Sequence, residues 1–149
     1  MHALKLLIVS NSREKYAQMF EGAALRTEYR EWIPARIFAD LDEADICLIP
    51  IPRERFALAK SANRVALALS RGTAVIADDF PALEEFSGCV VSGGDWAGGL
   101  KLYLEDENRR LADIARGKAV IEAFCSPTAV ARKWADLIES LPKRSGGAA

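Results

Sequence analysis

The segment Lys60-Ser61-Ala62-Asn63-Arg64 gathers two cations and two hydrogen-bonding side chains into five residues at the predicted start of a helix. The first backbone N–H groups of a helix lack intrahelical partners and its dipole favours negative charge there. An arriving phosphate therefore meets partial positive charge before any side chain contributes. Lys60 adds a full charge, Ser61 and Asn63 add donors, and Arg64, one turn beyond Lys60, can form a bidentate pair with phosphate oxygens. Cations at this end of a helix oppose its dipole, a local inconsistency of the kind that concentrates at functional sites. A solvated basic helix start beside a loop carrying Arg53 and Arg55 accounts for the same residues, and the residue types alone leave both readings open.

Other reactive groups are sparse. Asp78 and Asp79 are adjacent, so their carboxylates point in different directions and suit a strand end or a helix cap better than a metal site. Cys47, Cys89 and Cys125 have no CxxC spacing and lie in or beside apolar runs, which reads as buried thiols in a reducing compartment. The single histidine, His2, excludes a histidine-based triad and a histidine-rich metal site. No catalytic residue, metal or cofactor is assigned.

The elements that must position these residues alternate. Leu4 to Val9 reads as a central strand buried on both faces. Asn11 is placed to cap the following helix, with Glu14 at the reciprocal capping-box position, and Tyr16, Met19, Phe20 and Ala23 share one helical face. A second strand near Thr27 to Trp32 carries Glu28, Arg30 and Glu31 and belongs towards an edge. Pro34 begins a short helix with Ile37, Phe38 and Leu41 on one face, and Ile46 to Ile49 form a third strand ended by Pro50 and Pro52. The stretch Ser61 to Arg71 is the next helical segment, stopped by Gly72. Thr73 to Ala77 is a fourth strand, Pro81 opens another helix, and Cys89-Val90-Val91 is a short fifth strand. Asp95 caps a helix from Trp96. Two further helices follow: one shows Leu111, Ile114, Ile121 and Phe124; the other starts at Ser126-Pro127 and shows Val130, Trp134, Leu137, Ile138 and Leu141. Trp134 on this stripe reads as core or as a surface packed against another domain.

Short strands joined by helix-length crossovers imply right-handed βαβ units. The expected fold is α/β, a Rossmann-like doubly wound parallel sheet of about five strands with helices on both faces and C-terminal helices. It occupies residues 1–142 as one domain, with a loose tail from Lys143 to Ala149. Ligands of such sheets bind outside the carboxyl ends of the strands, here Ser10-Asn11-Ser12, Pro50 to Lys60, Asp78-Asp79-Phe80 and Ser92-Gly93-Gly94. A length of 149 residues and a hydrophobic fraction of 50% suit one domain with its own core. Lys plus Arg number 20 against 21 Asp plus Glu, so no basic surplus points to nucleic acid. No apolar run approaches the ~18 residues of a membrane span, and the N-terminus does not read as a signal peptide, which points to a cytoplasmic protein.

The runs Asp45-Ile46-Cys47-Leu48-Ile49-Pro50, Lys60 to Arg64, Ala68-Leu69-Ser70-Arg71-Gly72-Thr73-Ala74-Val75-Ile76-Ala77 and Pro81-Ala82-Leu83-Glu84-Glu85 together resemble the C-terminal, donor-binding domain of GT-B glycosyltransferases. Trp96 with Leu100 and Leu104, Asn108-Arg109-Arg110 and a last helix with Trp134 resemble the closing helices of that family, so the likeness runs from about Leu4 to Leu141. It implies that Lys60, Ser61, Asn63 and Arg64 hold the diphosphate of a nucleotide-sugar, and that Glu84 or Glu85 contacts ribose or sugar hydroxyls, a carboxylate being a bidentate acceptor for a diol. Acidic residues also stabilise a first helical turn unaided. The sequence departs from many retaining members, which carry E-x7-E where Ala59 and Leu67 stand here. The resemblance further implies that acceptor binding belongs to a second, N-terminal-type domain, supplied by another subunit or by a missing half.

Two rivals of the same size fail on their own residues. A receiver domain needs acidic residues after the first strand and a phosphorylatable aspartate after the third, where Ser10-Asn11 and Pro50 stand. A dinucleotide-binding domain needs G-x-G-x-x-G after the first strand. Two functions of different class are left: a glycosyltransferase-type donor domain, and a non-catalytic Rossmann-like module that binds a nucleotide or a protein.

Overall fold

The structure, a computed structural model, describes residues 4–52 and 54–141. His2, Arg53 and the tail 143–149 lie outside the described residues. The element order is β1 (Lys5–Ser10), α1 (Arg13–Phe20), β2 (Arg26–Glu31), α2 (Ile37–Asp42), β3 (Ile46–Ile49), α3 (Arg55–Leu58), α4 (Asn63–Ser70), β4 (Ala74–Ala77), a 3-10 helix (Pro81–Phe86), α5 (Trp96–Glu105), α6 (Glu107–Phe124) and α7 (Pro127–Ser140). Strands and helices alternate as the hydropathy pattern requires, and both strand pairs are parallel.

The expected five-stranded sheet is not formed. β1 pairs with β2, Lys5 opposite Arg26 through Ser10 opposite Glu31, and β3 pairs separately with β4, Ile46 opposite Ala74 through Ile49 opposite Ala77. The fifth strand reduces to one parallel bridge between Ile76 and Val91. The Val91 N–H donates to the Val75 carbonyl at 3.1 Å, and the Ala77 N–H donates to the Val91 carbonyl at 3.0 Å. Gly88 (φ +80°) and Gly93 (φ +101°) turn the chain on either side and leave little extended backbone between them. β1 also differs from expectation: Leu6 to Val9 are half-buried rather than enclosed. An apolar run reports the burial of a strand's faces, whereas joining β1 to β3 concerns their edges, on which hydropathy is silent.

The core is built around β4, which is buried along its whole length, and the elements packed on it. One cluster gathers Ile49, Ile51, Val65, Ala68, Leu69, Val75, Phe80, Leu83 and Phe86; another gathers Ala74, Ile76, Tyr103 and Ile114. Two glycines permit this packing. A Cβ on Gly117 of α6 would stand 2.7 Å from Leu69 Cδ1 of α4, and one on Gly99 of α5 would stand 2.9 Å from Val91 Cγ1. Arg30 of β2 donates to Asp40 of α2 at 2.9 Å and to Glu43 at its end at 2.6 Å, which ties the first strand pair to α2.

Helix termini follow local chemistry, with corrections. Asp95 caps α5 by accepting from the Gly98 N–H at 2.9 Å, Ser126 caps α7 with Pro127 as its first residue, and Gly72 (φ +85°) takes the left-handed position after α4. The cap of α1 is Ser12, not Asn11; Glu14, displaced from the capping-box position, accepts from Gln18 instead. On α6 the buried face is Asp113, Ile114 and Gly117, while Leu111 and Phe124 are exposed. Met19 and Phe38 are exposed as well, and so is Cys125, where buried thiols were expected; Trp134 is exposed too, so of its two readings the core one fails and the surface one stands. Among the described residues, no helix is long and apolar enough to cross a membrane.

Candidate functional site

Parallel pairing puts the carboxyl ends of β3 and β4 and the Val91 bridge on one side, and the crossovers bring the start of α4 and the Asp78-Asp79-Phe80 and Ser92-Gly93 turns to that side. The Ile51 N–H donates to Asp78 Oδ2 at 3.0 Å, which joins the segment after β3 to the segment after β4. Asp78 is thus a brace between loops rather than a helix cap.

α4 begins at Asn63, two residues later than the apolar pattern suggested, so Lys60 and Ser61 precede the helix and Asn63 and Arg64 form its first two residues. The boundary residue Ala62 has no side chain that can accept from the helix, and no capping hydrogen bond is made. By contrast α1, α5, α6 and α7 all have side-chain caps. Ala62 is buried, anchoring the segment, whereas Lys60, Ser61, Asn63 and Arg64 are all exposed. The Lys60 ammonium lies over the Phe56 ring at 5.6 Å from its centroid. The charge of Arg64 acts on the Cys47 thiol of β3: burial pushes that thiol up to about 11, and Arg64 partly opposes the shift. Cys47 is therefore an inert thiol at neutral pH.

The two predicted glutamates separate. Both sit in the 3-10 helix Pro81–Phe86, where an α-helix was expected, and both are exposed. Glu84 lines a groove of about 230 Å³ with Asp79, Phe80, Leu83, Ser87, Gly88, Val90 and Ser92, and Glu85 is not among its walls. Nor are Lys60, Ser61, Asn63 and Arg64. Two features thus occupy the carboxyl side of β3 and β4: an uncapped basic helix start, and a polar groove offering the carboxylates of Asp79 and Glu84. Ser87 and Gly88 were not anticipated as walls; a glycine directly after the predicted helix is the signal that could have marked them. Among the described residues, no group of three or more His, Cys, Asp or Glu side chains could hold a metal ion.

A further charged cluster lies away from this side. Asp113 of α6, fully buried, accepts from the Tyr103 hydroxyl at 2.9 Å and from Arg109 Nε at 2.9 Å, and also pairs with Arg116. Burial first, and then this hydrogen bond, push the Tyr103 hydroxyl above its usual range. Its place between α5 and α6 makes it structural, and arginines four residues before and three after an aspartate were its only sequence signal.

In comparisons with known proteins, no family model matches the chain, and no curated protein matches it.

Proposed function

We propose that the chain is a glycosyltransferase-type donor domain. It holds a nucleotide-diphosphate sugar at the carboxyl side of the parallel pair β3 and β4. The observation that carries this reading is the start of α4: among the described residues, the side chains of Lys60, Ser61, Asn63 and Arg64 make no hydrogen bond, and the N–H groups there have no side-chain cap. Backbone donors, the helix dipole and two cations belong to one short exposed segment, a combination that suits a diphosphate. The Glu84 groove nearby offers carboxylates for ribose or sugar hydroxyls. In transfer, Lys60 and Arg64 stabilise the leaving diphosphate as negative charge develops on it. An acceptor-binding domain supplies the other wall of the reaction site and any base.

Calorimetric titration with UDP, GDP and their sugars tests this. The reading expects saturable binding that is lost in the Lys60→Ala, Arg64→Ala double variant, and no binding to any of these nucleotides would sink it. Turnover with a supplied acceptor domain separates a transferase from a module that binds a nucleotide and transfers nothing.

A further inference from the structure

α7 projects an apolar stripe that nothing among the described residues covers. Val130, Trp134, Leu137, Ile138 and Leu141 recur at helical spacing, and all are exposed, Trp134 at 61% and Ile138 at 63%. No residue of α7 is buried, although an isolated helix of this length is marginal in water and draws its stability from packing an apolar face. Phe124, also exposed, extends the patch: the Lys133 ammonium lies 5.3 Å from its ring centroid and donates to its carbonyl.

We propose that this face pairs with the same face of a second copy of the chain, the two α7 helices running antiparallel about a two-fold axis. The spacing favours it. The positions 130, 134, 137 and 141 are separated by four, three and four residues, a series that reads the same in both directions. A two-fold related antiparallel copy therefore sets Val130 against Leu141 and Trp134 against Leu137, the self-complementarity an isologous interface requires. The charges agree as well. At 100° per residue Arg132, Asp136 and Glu139 lie on the opposite face, so no carboxylate or guanidinium is buried. Lys133 alone flanks the stripe, and the antiparallel arrangement sets it beside the partner copy's serine at the equivalent of position 140 rather than beside a like charge. Each stripe exposes on the order of 500 Å² of apolar surface, at the upper end of patches on monomers. Two of them remove roughly 1,000 Å² together, the lower bound for a specific interface. A lipid surface fits less well, because membrane-seated helices carry a basic polar face whereas Arg132, Lys133, Asp136 and Glu139 sum to zero.

Sedimentation equilibrium of the full chain from micromolar to millimolar concentration, with and without vesicles of mixed neutral and anionic lipid, tests the pairing. The expected result is a concentration-dependent species of twice the monomer mass. In Leu137→Glu its dissociation constant rises by at least about a hundredfold, since a carboxylate would enter the seam, while the back-face variant Arg132→Glu keeps it. A monomer at every concentration overturns the proposal. So does a dimer insensitive to Leu137→Glu, a dimer lost equally in Arg132→Glu, or a monomer that partitions onto vesicles. Should Leu137→Glu lose its helical circular dichroism, tryptophan emission of the unaltered chain decides. A red shift on dilution that vanishes in Trp134→Phe supports the pairing, and a constant spectrum overturns it.

Discussion

Tyr103 and Asp113, one on α5 and one on α6, meet hydroxyl to carboxylate at 2.9 Å with neither residue exposed to solvent. The carboxylate accepts additionally from Arg109 and Arg116, whose side chains remain half-exposed, so the ion pair is buried only at its acidic end. Replacing Asp113 by Ala strands the Tyr103 hydroxyl in the core but lets both arginines return to water. The expected cost is about 2–3 kcal/mol, chiefly an unsatisfied buried donor and a small cavity. Tyr103→Phe removes one hydrogen bond while two charged donors remain, and should cost about 1 kcal/mol. Urea denaturation of the two variants, with the order Asp113→Ala above Tyr103→Phe, checks the pair; the reverse order would place the strain in the tyrosine ring instead.

The same contact sets an alkaline limit. The tyrosine hydroxyl is held above its usual value of 10 by burial and by the neighbouring carboxylate, so the folded chain retains that proton where the unfolded chain loses it. Stability from this group is complete below pH 10 and falls as pH rises beyond it. Absorbance at 295 nm should show one tyrosine ionising only together with the loss of near-ultraviolet dichroism, and Tyr103→Phe should remove that coupled phase. Early, reversible ionisation of every tyrosine would contradict it.

The approach of α6 to α4 at Gly117 makes a sharper demand. With a Cβ projected to 2.7 Å from Leu69 Cδ1, Gly117→Val forces the helices apart and should cost about 2–3 kcal/mol despite the gain in helix propensity. Leu69→Ala alone leaves a cavity and should cost about 2–4 kcal/mol. Combined, the two substitutions should be less damaging than their sum, because the valine enters the space the leucine vacates. Thermal denaturation of the four members of the cycle measures that coupling, and strict additivity would mean that the two residues do not share the space.

How much of this was readable beforehand depends on whether a feature is local. Asp95, Ser126-Pro127 and Gly72 act on backbone within four residues of themselves, and the helix ends they mark stand where the pattern put them. Asn11 against Ser12 shows the limit of that reading: two adjacent residues can both cap, and Ser12 holds the place because it accepts from the Lys15 N–H while its own N–H turns back to Ser10. Features that depend on distant chain were hidden. Leu6 to Val9 are apolar enough for a central strand, yet nothing in the run encodes a partner for the free edge of β1, and the sheet divides. Asp113 reads as one more charge on a helix until α5 covers it. In the site, the exposed basic segment was legible because exposure is its chemistry, whereas the separation of Glu84 from Glu85 came only with the 3-10 geometry.

That separation yields the last test. Glu84 lines the groove beside Asp79 and Ser92, and Glu85, its neighbour in sequence, does not. A hydrogen bond between a carboxylate and a ligand hydroxyl is worth about 1.5–3 kcal/mol when one partner is charged, or roughly tenfold or more in affinity. If the groove receives the ribose or the sugar of a diphosphate held at α4, Glu84→Gln should weaken nucleotide-sugar binding by about that factor and Glu85→Gln should leave it unchanged. Inorganic diphosphate, which has no diol, should bind Glu84→Gln as it binds the unaltered chain, because the proposed reading gives it contacts at Lys60 to Arg64 and none in the groove. Equal losses in both glutamine variants would mean that the acidic pair acts through general charge on the 3-10 helix. A loss confined to Glu85→Gln would move the hydroxyl contacts out of the groove altogether. Competition calorimetry with the three ligands against the two variants separates these outcomes, since only a contact in the groove distinguishes both the ligand with a diol from the one without and Glu84 from Glu85.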